Sequence, residues 1–197
     1  ADGHALRMVG TMVDVSERHQ HQRLLELRQR LAERVSGEAP QLMRIALDAA
    51  EELTHSELGF FHVLDADQQA VLQQVWSSQT LQSLQRLGIK PQPARWAIAA
   101  CSDWADAIRE QRPIYVEHDN DVAQQGALPD GHPAVRRELV VPLLRDCQVL
   151  SVIGVANKPA AYDESDAQLL VLIVNMSQDT LERRRSEQRM AFMAFND

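Results

Sequence analysis

The sequence predicts an α/β chain of the α+β kind: an antiparallel sheet sandwiched by helices, with long helices at both ends. Two pairs of apolar runs, 58–64 with 71–77 and 138–144 with 149–157, are joined by short polar turns, the pattern of β hairpins. In the last run Val149, Ser151, Ile153 and Val155 alternate with Leu150, Val152, Gly154 and Ala156. Neither side of that strand is polar, so both must be covered. Segments of helical period lie before, between and after the hairpins, which supplies the covering layers.

Taken in order, residues 1–15 read as the end of a β structure: Asp2-Gly3 is a turn signal and LRMVGTMVDV is rich in β-branched and apolar residues. Ser16 is placed to cap a helix over 17–35, in which Leu24, Leu27 and Leu31 form one apolar seam suited to pairing with another helix. Ser36-Gly37 and Pro40 break it. A second helix is expected over 41–54, with Leu42, Ala46, Ala49 and Leu53 on one face. The first strand, 58–64, sets Phe60, His62 and Leu64 against Phe61 and Val63, and Asp65-Ala66-Asp67 turns the chain into 71–77. A helical stretch, a short strand near 96–99 and a helix from 102 to Pro113 follow, then a strand at 114–116. The polar stretch 117–133 holds Gly126, Pro129, Gly131 and Pro133; a loop of that length is commonly functional. After the second hairpin a long helix starts near Glu164, apolar early (Leu169, Leu172, Ile173, Met176) and polar over 182–189 (ERRRSEQR).

Composition narrows the function. The 197 residues are 45% hydrophobic, enough for a real core, and the net charge of −8 repels nucleic acid and anionic membrane surfaces. No apolar run reaches the ~18 residues of a membrane span, and no secretory signal is expected. A cytoplasmic location is expected, with Cys101 and Cys147 as free thiols. Neither lies in a CxxC pair or among spaced histidines, so no metal site is expected, and no nucleophile elbow, P-loop or paired-carboxylate motif occurs.

The stretch 128–162, LPDGHPAVRRELVVPLLRDCQVLSVIGVANKPAAY, carries a GHP turn, an RELVVP strand and a GVANK strand end followed by Tyr162. With Leu58-Gly59-Phe60-Phe61, Trp76 and WADAIREQRP (104–113), it makes residues 41–182 resemble a GAF domain, in a subgroup found in bacterial sensor kinases and cyclic-nucleotide-signalling proteins. That subgroup carries Asn-Asp-Tyr after the strand that follows the WADAIREQRP-like helix; here Glu117-His118-Asp119-Asn120 stands in its place. The start, DGHALRMVGTMVDVSER, resembles the exit of a PAS domain, and MAFMAFND (190–197) resembles the lead-in to a GGDEF diguanylate cyclase domain. The resemblances divide the chain into a PAS remnant (1–18), a linker helix (19–40), a GAF domain (41–182) and an exit helix leading into GGDEF (183–197). They imply a regulatory sensor in a PAS–GAF–GGDEF protein of cyclic di-GMP signalling, a homodimer without a catalytic site or cofactor of its own. A ligand-free dimerisation spacer is the alternative.

The candidate ligand residues follow from the strand ends. Trp76, Trp96 and Trp104 suit either a core or an aromatic pocket wall. Arg136, Arg137 and Glu138 enter one strand of the second hairpin where Asn157 and Lys158 leave the other, so these ends meet beside the 117–133 loop. The cluster suits an ion-pair network holding the loop or, alternatively, a small anionic ligand. His118, Asp119 and His132 lie in that loop and complete the candidate set, with no metal expected. Neither cysteine has the setting used for bilin attachment. Nor do two such cysteines supply the disulfide exchange of a GAF-fold methionine sulfoxide reductase.

Overall fold

The computed structural model describes residues 16–33, 39–89, 96–98, 103–118 and 134–196. The helices are α1 (Ser16–Glu33), α2 (Ala39–Thr54), α3 (Ser78–Arg86), α4 (Asp103–Glu110) and α5 (Glu164–Asn196). The strands are β1 (Leu58–Leu64), β2 (Ala70–Trp76), β3 (Trp96–Ala97), β4 (Ile114–Glu117), β5 (Arg137–Arg145) and β6 (Gln148–Ala156). They form one sheet in the order β3-β2-β1-β6-β5-β4, with every neighbouring pair antiparallel. The two apolar hairpins thus meet through β1 and β6, which lie innermost because neither has a polar side to offer solvent.

The α+β sandwich expected from the sequence is what forms. On one side of the sheet Phe61, Val75, Leu139, Ile153 and Val155 pack under α2, α5 and α1. On the other, Phe60, Val71, Val140 and Val152 pack with Ala107 and Ile108 of α4. Burying each large aliphatic side chain contributes about 1.5–3 kcal/mol, so the two clusters supply the main stabilising term.

A bulge sets which side chains face which layer. Between Val63↔Gln73 and Leu64↔Val71 the register shifts, leaving Leu72 unpaired and 43% exposed. The extra residue reverses the alternation of β2. Val71 therefore joins the α4 side while Val75 joins the α2–α5 side, and Gln74 and Trp76 stand on the α4 side.

Several details differ from the sequence expectation. The second helix begins two residues earlier than expected, at Ala39, and Pro40 sits in its first turn, where its missing N–H has no partner to lose. Ser77 is not a strand residue but the N-cap of α3, its hydroxyl accepting the Thr80 N–H at 3.1 Å. Asn157 lies past β6 with a φ of 64°. Leu172 is 44% exposed, and Leu170 and Val174 take the buried positions of α5 with Leu169 and Ile173. The α1 seam is spent inside the chain: Leu27 and Leu31 are each 1% exposed, packed in the α2–α5 cluster, so α1 is docked on the body rather than leaving it. The PAS-like stretch 1–15 lies outside the described residues. Residues 190–196 of the GGDEF-like stretch continue α5 as helix.

Candidate functional site

The α4 side of the sheet carries an aromatic cluster. Phe60 and His62 project from β1, Trp76 ends β2, and α4 brings Trp104 over them. The His62 ring lies 4.8 Å from that of Phe60 and 4.8 Å, edge-on, from Trp104; Trp76 is 6.5 Å away, also edge-on. Such tilted and edge-to-face contacts are the favoured geometry for aromatic rings. The cross-strand neighbour Gln74 places its amide nitrogen 2.9 Å from His62 Nε2. This amide–imidazole contact ties the two side chains together inside the cluster. Burial pushes the His62 pKa down to about 3, because the enclosure cannot solvate an imidazolium. The cluster thus offers flat apolar walls with one neutral imidazole and an amide. The rings pack on one another, with Phe60 and His62 buried, and a histidine held neutral this strongly supplies no base of useful strength.

The polar edge predicted from the strand ends also forms. Asn157 takes the Arg136 N–H on its Oδ1 at 2.9 Å, donates Nδ2–H to the Ala134 carbonyl at 2.8 Å, and sends its own N–H to the Arg137 carbonyl at 2.9 Å. His118 N–H donates to the Arg136 carbonyl at 2.8 Å. Arg137 Nη1 donates to the carbonyls of Lys158 (3.2 Å) and Pro159 (3.1 Å), and its Nε lies 3.4 Å from Glu117. Lys158 Nζ binds both Asp166 carboxylate oxygens, at 2.8 and 2.6 Å, and sits 5.8 Å over the Tyr162 ring.

These two groupings do not form one site. Arg137 shares its strand parity with Leu139 and Val141, which face α2 and α5, whereas Trp76 and Trp104 pack in the cluster on the α4 side. Glu138, 8% exposed, shares the parity of Val140 on the α4 side. The guanidinium of Arg137 and the ammonium of Lys158 are turned toward the start of α5 instead. Asp119, His132 and Cys101, and the Trp96 side chain, lie outside the described residues.

The polar edge fixes how α5 begins. Asp163 Oδ1 accepts the N–H groups of Ser165 (2.9 Å) and Asp166 (3.1 Å), and Asp166 Oδ2 takes the Asp163 N–H at 3.0 Å. This is a reciprocal capping box with aspartate at its second position. Those backbone donors, the Asp166 amide first, hold the Asp163 carboxyl below its usual range. The Tyr162 hydroxyl joins Ser56 Oγ at 2.7 Å and accepts the Lys158 N–H at 3.1 Å; burial pushes its pKa up to about 12. Sequence reading found the strand-end residues from the hairpin pairing. It missed Phe60, His62 and Gln74, although a histidine inside LGFFHVL opposite a glutamine was the available signal.

Cys147 is exposed in the β5–β6 turn. Among the described residues no group of three His, Cys, Asp or Glu side chains stands where it could hold a metal ion. No helix among them is long and apolar enough to cross a membrane.

Comparison with known proteins accords with this architecture. A curated relative, a methyl sulfide methyltransferase-associated sensor of Methanosarcina acetivorans, is 26% identical over 170 residues; the match covers 84% of this chain but only 16% of that protein. Among solved structures, the GAF domain of an Acinetobacter phosphoenolpyruvate-protein phosphotransferase superposes with a TM-score of 0.63 at 16% identity, over 89% of this chain and 97% of that one. The free methionine-R-sulfoxide reductase of Neisseria meningitidis, solved with its substrate, gives a TM-score of 0.60 at 18% identity, over 94% and 99%. At these identities the structures speak for the fold alone. The family model for the GAF domain matches residues 37–177, most of the chain, and the chain belongs to the GAF domain family.

Proposed function

We propose that this chain is a regulatory, non-catalytic sensor that takes a small ligand on the aromatic side of its sheet and passes its state to an output domain through α5. The observation that carries the reading is α5 itself. Over 164–181 it is part of the core, with Leu170, Ile173 and Val174 at most 2% exposed. Beyond that it continues as unbroken helix to Asn196, where Met190 and Met193 are more than half exposed. At about 1.5 Å per residue the whole helix is a rod of about 50 Å. Its first turn is held by Lys158, Asp166 and the capping box, directly after β6. Because β6 faces both layers, a shift on the aromatic side reaches the helix through the strand. The curated relative, a sensor, supports the regulatory part of this reading.

The output domain in this proposal is a GGDEF diguanylate cyclase in a PAS–GAF–GGDEF protein, paired as a parallel homodimer through α5. Half-exposed Leu172 and Val171 on α5 supply an apolar strip for such pairing. Native mass spectrometry of the purified chain tests ligand and dimer together. A 22.2 kDa chain found as a dimer retaining a small molecule supports the proposal. A monomer without added mass, even after incubation with a metabolite mixture, refutes the ligand and the pairing. The isolated chain is expected to leave GTP and cyclic di-GMP unconverted, and turnover above a blank would overturn the non-catalytic assignment.

A further inference from the structure

The passage from β2 into α3 rests on a buried carboxyl group. Glu51 of α2 is 5% exposed. Its Oε1 contacts Ser77 Oγ and lies 3.0 Å from Thr80 Oγ1, and these two hydroxyls are 2.7 Å from each other. Each hydroxyl already accepts a backbone N–H, Ser77 from Thr80 at 3.1 Å and Thr80 from Gly59 at 2.9 Å. A methyl group at Gly59 would come within 3.1 Å of Glu51 Oε1, so the β1 backbone closes the carboxyl in from that side.

Proton counting then decides the state of this triangle. Three oxygens in mutual hydrogen-bond contact need three protons, and the two hydroxyls carry only two. With a carboxylate, one of the three contacts becomes a repulsion between lone pairs. With a carboxylic acid the ring closes: Glu51 donates to Ser77, Ser77 to Thr80, and Thr80 back to Glu51. We propose that Glu51 is held as the neutral acid and that losing its proton opens this ring, making the α2–α3 junction a proton-operated latch.

The surroundings agree. Burial, opposed by the two hydroxyl bonds and aided by the negative charge of Asp48, raises the Glu51 pKa to about 7. Asp48 is itself tied to α3, accepting Ser78 N–H at 2.6 Å and Ser78 Oγ–H at 2.8 Å. Glu52 is paired with Arg23 of α1 at 2.7 Å, and Arg44 donates to the Trp76 carbonyl at 3.2 Å, so neither cation is turned to Glu51. His55 lies at the exit of α2. An open groove of about 570 Å³, lined by Glu51 with Asp48, Glu52, His55 and Ser78, gives the proton a route to solvent. Ser77 directly follows Trp76, so an opened latch loosens one wall of the aromatic cluster.

The sign is fixed by linkage. A carboxyl whose folded pKa stands above its unfolded value contributes stability that is full below about pH 4.5 and is lost as pH rises through about 7. The test compares wild type with Glu51→Gln by urea unfolding from pH 5 to pH 8. Glutamine cannot ionise, so whichever amide atom meets the two hydroxyls, its contribution does not change with pH. Comparing the two proteins at each pH cancels every other titrating group, including His62. Wild type is expected to lose on the order of 100-fold in folding equilibrium relative to Glu51→Gln across that range. Glu52→Gln should instead track wild type. A carbon-13 carboxyl titration of the wild-type chain, expected to place Glu51 near neutrality, decides the matter even if Glu51→Gln does not fold. Parallel pH profiles for the two proteins, or a Glu51 midpoint below about pH 5.5, would overturn the proposal.

Discussion

Replacing Gly154 by alanine probes the contact that organises the aromatic side. Gly154 of β6 stands directly across from Phe60 of β1, and a Cβ built on it would lie 2.1 Å from Phe60 Cζ and 2.3 Å from Cε1. The ring lies over the bare backbone. It has little room to swing aside: Phe60 is 7% exposed, with the His62 ring at 4.8 Å and the Trp76 ring at 6.1 Å. Overpacking of this kind costs about 1–3 kcal/mol. Against it works the roughly 0.5–1 kcal/mol by which alanine outperforms glycine inside a strand. A net loss of about 1–2 kcal/mol remains, or a fall in Tm of about 2–8 °C for a chain of this size. Urea and thermal unfolding measure it. The decisive comparison is made in a Phe60→Leu background, where the shorter side chain leaves space for the new methyl. There Gly154→Ala should be neutral or stabilising. An undiminished cost in that background, or no cost in the wild type, would refute the close-approach argument.

Two further expectations concern charge. His62, with its folded pKa depressed to about 3 by burial, contributes stability that is present above pH 6.5 and lost as pH falls toward 3. Denaturant unfolding of His62→Leu should therefore show a shallower acid limb than wild type, and equal slopes would count against a neutral buried imidazole. Asp166→Ala removes the acceptor of a mostly buried ion pair, whose side chains are 17% and 8% exposed, and a capping contact with it. It should cost about 3–5 kcal/mol in urea titrations. Glu182→Ala, which breaks the exposed Arg145 pair, should cost less than about 1 kcal/mol; similar losses for both would contradict the assigned role of Asp166.

The layers of the fold were legible in the sequence because they follow from local pattern. Apolar alternation over 58–64 and 149–157 leaves no side for water, and Leu42, Ala46 and Ala49 repeat at helical spacing whatever lies against them. The junction of residues 136–138 with 157–158 was legible too, since a hairpin register brings those ends together. What those groups bind was not. Arg137 meets two carbonyls beyond the end of β6, and Lys158 meets Asp166 one turn into α5; both contacts depend on where the helix lands. The division of the site had a similar cause. The bulge at Leu72 puts Trp76 and Gln74 on the α4 side, and strand parity puts Arg137 on the other. Residues that appear to share one strand-end cluster therefore face opposite layers. The leucine seam of α1 was legible as a surface for another helix, but only the packing of Leu27 and Leu31 shows that the partners are α2 and α5 of the same chain. Local periodicity determined which elements form and which sides are apolar. Only the tertiary structure decided which apolar surfaces meet and which charges neutralise one another, because those choices rest on bulges, crossings and helix ends that join residues far apart in the chain.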